Sequence, residues 1–256
     1  METKQHNIAL CLGGGGVLGA YHIGVLKAID ELNIEINFIS GTSVGSLIGA
    51  LYCAGLSAKN IEKIALDTKW NDFYKVSLSK LGLLSNEKVG HFIQTHTNIC
   101  TFKDLSIPFR VVTTNIVTGK KVVLKKGNLL KAIRASCSIP GIFIPVNIKN
   151  TMLVDGGIVD NVPISVAKEF GSNYIIAVDL NSKHSYKKPK NVIEVLLNSF
   201  EFLSKQATSI HLDTANLLLQ PNLEEYNCIN TDQIRRLIQK GYKESLATLK
   251  KASIPK

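Results

Sequence analysis

A serine with a glycine two residues away on each side, Gly41-Thr42-Ser43-Val44-Gly45, sits where a short apolar run, Ile36 to Ser40, gives way to a helical pattern of small residues, Leu47 to Ala54. A turn of this kind lifts the serine Oγ clear of the backbone, and the flanking glycines are needed because a Cβ there would collide with the neighbouring strand and helix. It also sets the hydroxyl at a helix N-terminus, where the N–H of Val44 can donate to an oxyanion and the dipole favours negative charge. The chemistry implied is nucleophilic attack on an acyl group. A second glycine cluster lies upstream: Gly13-Gly14-Gly15-Gly16, followed by Gly19, ends the apolar run Ile8 to Leu12 and opens a helix. Successive residues without Cβ let the amides of Gly14, Gly15 and Gly16 approach a developing negative charge, as an oxyanion hole requires.

A serine nucleophile needs a base. Asp155, in Leu153-Val154-Asp155-Gly156-Gly157, ends a β-rich run, which places it where a parallel sheet presents its functional edge. The histidines are weaker candidates: His22, His91, His96, His184 and His211 all fall in helical or basic segments, none beside a turn motif, and read as surface or core-edge residues. Two other readings stay open at this point. Gly14-x-Gly16-x-x-Gly19 satisfies the dinucleotide-binding fingerprint, but the second strand ends Phe38-Ile39-Ser40 without the acidic residue that would hold a ribose. A Ser-Asp-His triad using His184 or His211 would suit an α/β-hydrolase, but that fold sets several strands before its elbow and only one precedes this serine.

The positioning elements repeat. Strand, glycine turn and helix occur twice in the first 55 residues, and further strands are expected at Phe109 to Asn115, Lys121 to Leu124, Leu153 to Asp155 and Tyr174 to Asp179. Ser57 and Asn86 look like N-caps of helices near 58–67 and 87–98. Alternation of this kind predicts an α/β fold with a mostly parallel sheet covered on both faces. The polar, basic stretch Ser182 to Lys190 reads as a loop, and only helical patterns follow, Val192 to about Leu219 and Asp232 to about Leu249, expected to pack on the same sheet. One domain over 1–256 is the expectation, with the motif core at about 8–180.

Composition narrows the classes. With 45% hydrophobic and 20% charged residues in 256, the chain can bury a sizeable core. Five scattered cysteines without a paired spacing predict free thiols, with no metal site. The net charge of +10 arises after residue 80, since residues 1–80 carry 7 basic and 7 acidic side chains. That excess fits either a plain lysine-rich soluble surface or contact with an anionic membrane surface, whereas few arginines and no aromatic interleaving argue against nucleic acid. Residues 8–26 hold too many glycines, with His22, for a membrane span or signal segment, so a cytoplasmic location is expected, with peripheral membrane contact left open.

Taken together these residues resemble the patatin-like phospholipase family, in its bacterial Asp-Gly-Gly form. Four blocks occur in the family's order: the loop Gly13 to Gly19, the elbow Gly41 to Gly45, the stretch Ala135-Ser136-Cys137-Ser138-Ile139-Pro140-Gly141, and Asp155-Gly156-Gly157 followed by Asn161-Val162-Pro163. The resemblance implies a three-layer α/β/α sandwich and cofactor-free hydrolysis of lipid acyl esters by a Ser-Asp dyad. Ser43 would be the nucleophile, Asp155 the general base, and Gly14, Gly15, Gly16 and Val44 the oxyanion hole, with Gly13, Gly19, Gly41, Gly45, Gly156 and Gly157 in support. One departure stands out: Leu18 precedes Gly19 where the family usually has Arg or Lys, which is the sole argument for a weakened, lipid-binding relative. An arginine at this position is expected to preserve or raise activity.

Overall fold

Short runs of apolar residues cut by glycine favour strands buried on both faces, and the first, Ile8–Leu12, is buried along its whole length. The computed structural model describes residues 6–69, 72–77, 79–183, 188–208 and 212–255; His184 and His211 lie outside them. In chain order the elements are β1 (Ile8–Leu12), α1 (Ala20–Glu31), β2 (Phe38–Thr42), α2 (Val44–Cys53), α3 (Ala58–Asp67), β3 (Lys75–Val76), β4 (Gly82–Ser85), α4 (Glu87–Thr97), β5 (Phe109–Asn115), β6 (Lys121–Leu124), α5 (Leu129–Ser136), β7 (Gly141–Phe143), β8 (Val146–Ile148), β9 (Thr151–Asp155), α6 (Ile164–Phe170), β10 (Tyr174–Val178), α7 (Val192–Thr208), β11 (Leu217–Leu219) and α8 (Ile234–Lys251).

The main sheet runs β11-β10-β1-β2-β5-β9-β8, with β6 also paired to β5. From β11 to β5 every pairing is parallel, while β6, β8 and β9 pair antiparallel. The C-terminal ends of β1 and β2 therefore open side by side on one edge, which sets the glycine loop beside Ser43. Alternate residues divide the core: Leu10, Leu12, Ile39, Ile176 and Val178 face the layer that contains α1, α2 and α8, and Ala9, Cys11, Phe38, Ile175 and Ala177 face α6. The expected three layers are present.

Several local expectations are corrected. The strand before the serine runs on through Gly41 to Thr42, because Ile39 to Thr42 pair in register with Phe109 to Val112. The segment after 190 is not all helix: α7 spans Val192–Thr208, and Leu217–Leu219 adds an edge strand parallel to β10. Three leucines in a row carry no period, so helix and buried strand could not be told apart there. Ser57 caps α3 by accepting from the Asn60 N–H, but the Asn86 side chain makes no cap bond; its Nδ2 donates instead to Arg134 O and Ser138 Oγ. Among the described residues no helix is long and apolar enough to cross a membrane.

Leu18 also needs correction. It is fully buried within the core cluster of α1 and α2, so the residue is a packing element, and a guanidinium there would be a charge cut off from water. Leu18→Arg is therefore expected to destabilise the fold by several kcal/mol, as uncompensated buried charges do. Thermal melting checks this: a drop of roughly 10 °C or more, or insoluble protein, is expected.

Candidate active site

The site is built where β2 turns into α2. Ser43 has φ 53° and ψ −127°, a backbone conformation that costs about 1–3 kcal/mol for a residue with a side chain and is characteristic of functional turns. Neighbours hold it there. Its N–H donates to Ser136 Oγ at 2.8 Å, Ser136 in turn donates to Val112 O at 2.7 Å, and Ser46 Oγ donates to Ser43 O at 2.6 Å. The helix can start so close to β1 only because Gly45 lacks a side chain, since a Cβ there would lie 2.1 Å from Leu12 O.

Asp155 arrives differently from the sequence-based expectation. β9 runs antiparallel to β5, so Asp155 does not sit at the C-terminal edge of a parallel strand. β5 instead extends beyond its pairing with β2, which ends at Val112 opposite Thr42, and Thr113, the next residue, pairs with Asp155. The aspartate thus stops level with Ser43. It is completely buried. Oδ1 accepts from the Gly157 N–H at 2.9 Å, and Thr114 Oγ1 donates to the Asp155 carbonyl at 2.9 Å.

Burial pushes the Asp155 pKa up to about 7; the Ser43 hydroxyl and the Gly157 N–H pull the other way but do not win. Oδ2 makes no hydrogen bond of full geometry, yet the Ser43 hydroxyl is near enough to lower the pKa. The two side chains are neighbours whose bond is incompletely formed, as catalytic hydrogen bonds often are without substrate.

The glycine loop is braced by side chains that sequence reasoning passed over. His22, dismissed as a surface or core-edge residue, is fully buried, and its Nε2 lies 2.8 Å from Gly13 O. A carbonyl only accepts, so Nε2 carries the proton, and burial lowers the ring's pKa to about 4, keeping it neutral. Spacing from the glycines along α1 was the available signal. Asn161 is the second brace: its Oδ1 and its backbone O both accept from the Gly14 N–H, at 3.1 and 3.3 Å. That corrects the donor set, because an N–H already committed to Asn161 is not free for an oxyanion, and Gly14 becomes part of the scaffold. For the N–H groups of Gly15, Gly16 and Val44 no acceptor is found among the described residues. Gly16 adopts φ +57°, and a Cβ there would lie 2.5 Å from Cys228 O. That carbonyl also accepts from Val17 N–H at 2.8 Å, closing the helix N-terminus where a dinucleotide's phosphates would have to sit.

Ser43, Val44 and Gly16 open into a cavity of about 160 Å³. Its remaining wall is almost wholly apolar, with Val17, Leu47, Ile61, Ile64, Phe92 and Phe143 among the lining residues. Among the described residues no histidine lines it.

A sequence model described as patatin-like phospholipase matches residues 10–168. The chain belongs to the patatin-like phospholipase family. Among similar patatin-like proteins, patatin-like phospholipase domain-containing protein 6 of Homo sapiens is 34% identical over 190 residues, covering 70% of this chain and 14% of that protein. Lysophospholipase NTE1 of Pyricularia oryzae is 27% identical over 279 residues, 96% of this chain and 18% of that protein. An NTE family protein of Mycobacterium bovis is 33% identical, covering 72% of this chain and 51% of its own length. The chain thus spans between about a seventh and a half of the length of these relatives. The crystal structure of VipD from Legionella pneumophila superposes with a TM-score of 0.60 at 15% identity, over 96% of this chain and 67% of that one, and confirms the patatin-like α/β/α sandwich.

A carboxyl whose pKa is higher folded than unfolded holds its proton more tightly in the fold, so it costs stability as pH rises from about 4 through about 7. Asp155→Asn removes that cost and can still accept from Gly157. The variant is expected to melt several degrees above the wild type at pH 8, with the gap closing toward pH 4, in thermal melts across that range.

Proposed function

We propose that this chain is a lipid acyl hydrolase in which Ser43 is the nucleophile and Asp155 the general base. Oγ attacks the ester carbonyl as its proton passes to the Asp155 carboxylate. The negative charge on the former carbonyl oxygen is met by the N–H groups of Gly15 and Gly16 in the glycine loop and by that of Val44 at the N-terminus of α2. The alcohol or lysolipid leaves with a proton, and water then hydrolyses the acyl-enzyme by the same base. An ordinary aspartate is too weak a base for this step near neutral pH; one held at about 7 by burial is matched to it.

The observation that carries the reading is the placement of a buried carboxyl of raised pKa beside a strained serine at the end of an apolar cavity. Its volume compares with the ~150 Å³ voids that admit benzene, suiting the leading part of a single hydrocarbon chain. Family membership supports the same class, and two relatives, a lysophospholipase and a phospholipase domain protein, point to glycerophospholipids and their lyso forms as substrates. The weakened lipid-binder reading loses its support, since packing alone accounts for Leu18.

Ser43→Ala and Asp155→Asn are each expected to lower kcat/KM on a long-chain nitrophenyl ester and on a lysophospholipid by roughly 10³-fold or more while the fold persists. His184→Ala and His211→Ala should change it less than about threefold. A histidine variant as damaged as Ser43→Ala would replace the dyad by a triad.

A further inference from the structure

The long helix α7 is packed inside out. Its most buried side chains are polar, with Glu201, Ser204 and Thr208 at 7%, 0% and 6% exposure, whereas Val192, Val195 and Leu203 are 65%, 48% and 52% exposed. These two sets recur at helical spacing on opposite sides of the helix. The polar side presses on the catalytic turn: a Cβ on Gly157, two residues after the base, would lie 2.8 Å from Ser204 Oγ. A helix that buries its polar stripe and shows its apolar one to water is short of a partner on the outer face.

The exposed face adjoins the cavity. Leu196 of α7 sits over Gly141 of β7, and the same strand supplies Phe143 to the cavity wall. β7 pairs with β4, Gly82 opposite Gly141, and on either side of Gly82 Leu81 and Leu83 are exposed. Val76 of β3, the strand paired to β4, is exposed as well. Exposed apolar side chains of α7 and of the β3–β4 ribbon therefore flank β7, the strand that gives Phe143 to the cavity wall. Exposed lysines flank these elements in the chain: Lys188 and Lys190 before α7, and Lys80 before β4. Two identical copies meeting through this face would bring lysines against lysines, whereas an anionic bilayer offers acyl chains to the apolar residues and headgroup charge to the basic ones.

We propose that the outer face of α7, together with the β3–β4 ribbon, docks the protein on an anionic phospholipid bilayer and delivers lipid to the cavity above Ser43. The inference rests on reading Ser43 and Asp155 as a lipid hydrolase, and its test separates the two claims. Val195→Glu/Leu203→Glu places two charges on exposed positions outside the cavity, and an unchanged melting temperature shows that the fold is kept. With vesicles of phosphatidylcholine containing about 30% phosphatidylglycerol, co-sedimentation should fall by roughly fivefold or more and hydrolysis of vesicle lipid by roughly tenfold, while turnover of a dissolved short-chain ester stays within about twofold. Lys188→Gln/Lys190→Gln should narrow the preference for these vesicles over pure phosphatidylcholine, as should added salt. Vesicle binding equal in the wild type and Val195→Glu/Leu203→Glu overturns the proposal. So does a wild-type dimer that this variant splits while vesicle binding is unchanged, which would make a second copy the occupant. A wild type inert on the short-chain ester but losing vesicle binding in the variant would overturn the hydrolase reading and leave the docking surface standing.

Discussion

The structure turns on one carboxyl group kept out of water with too few partners. Asp155 is fully buried, accepts one N–H, and has a second oxygen left over beside a serine. In water the group would ionise far below neutrality; here desolvation holds it near 7. A fold tolerates such a cost only if its remaining bonds fix the group in place. β5 does so by extending past β2 far enough for an antiparallel strand to pair with its end and stop beside Ser43. The mixed character of the sheet is the means by which Asp155 and Ser43 come level.

The surrounding polar bonds serve the same geometry. Ser136 ties the elbow to β5, and Thr42 Oγ1, donating to Asp160 O, ties the end of β2 to the loop after Asp155. Asn161, on that loop, reaches across to the glycine turn, and His22 pins the turn from α1. Ser43, Asp155 and the glycine loop come from three separate strand ends, yet each is bonded to another's loop. Such preorganised donors add little ground-state binding but meet charge as it develops.

The turns that build the candidate site are legible in the sequence because they depend on local backbone. Gly41-x-Ser43-x-Gly45 and the glycine run announce tight turns, and a turn is fixed by the residues in it. What escaped was decided by partners outside the motifs. The direction of β9 follows from pairing, not from Leu153-Val154-Asp155. His22 looked idle because the atom it bonds lies in the preceding turn, and Gly14 looked like a donor until Asn161, 147 residues away, was placed against it. Leu18 invited an electrostatic reading although its environment is hydrophobic. Leu217–Leu219 had no pattern from which an edge strand could be told.

The central claim, that a buried aspartate of raised pKa activates Ser43 without a histidine, is tested most directly by the pH dependence of covalent labelling. A fluorophosphonate probe reacts with an activated serine, and mass mapping of the labelled peptide shows which one. The account predicts a single label on Ser43 whose rate rises with pH through an apparent pKa near 7, with Asp155→Asn leaving at most a slow, pH-independent residue of it. A label on another residue, a rate that is already flat above pH 5, or an undiminished rate in Asp155→Asn would contradict it.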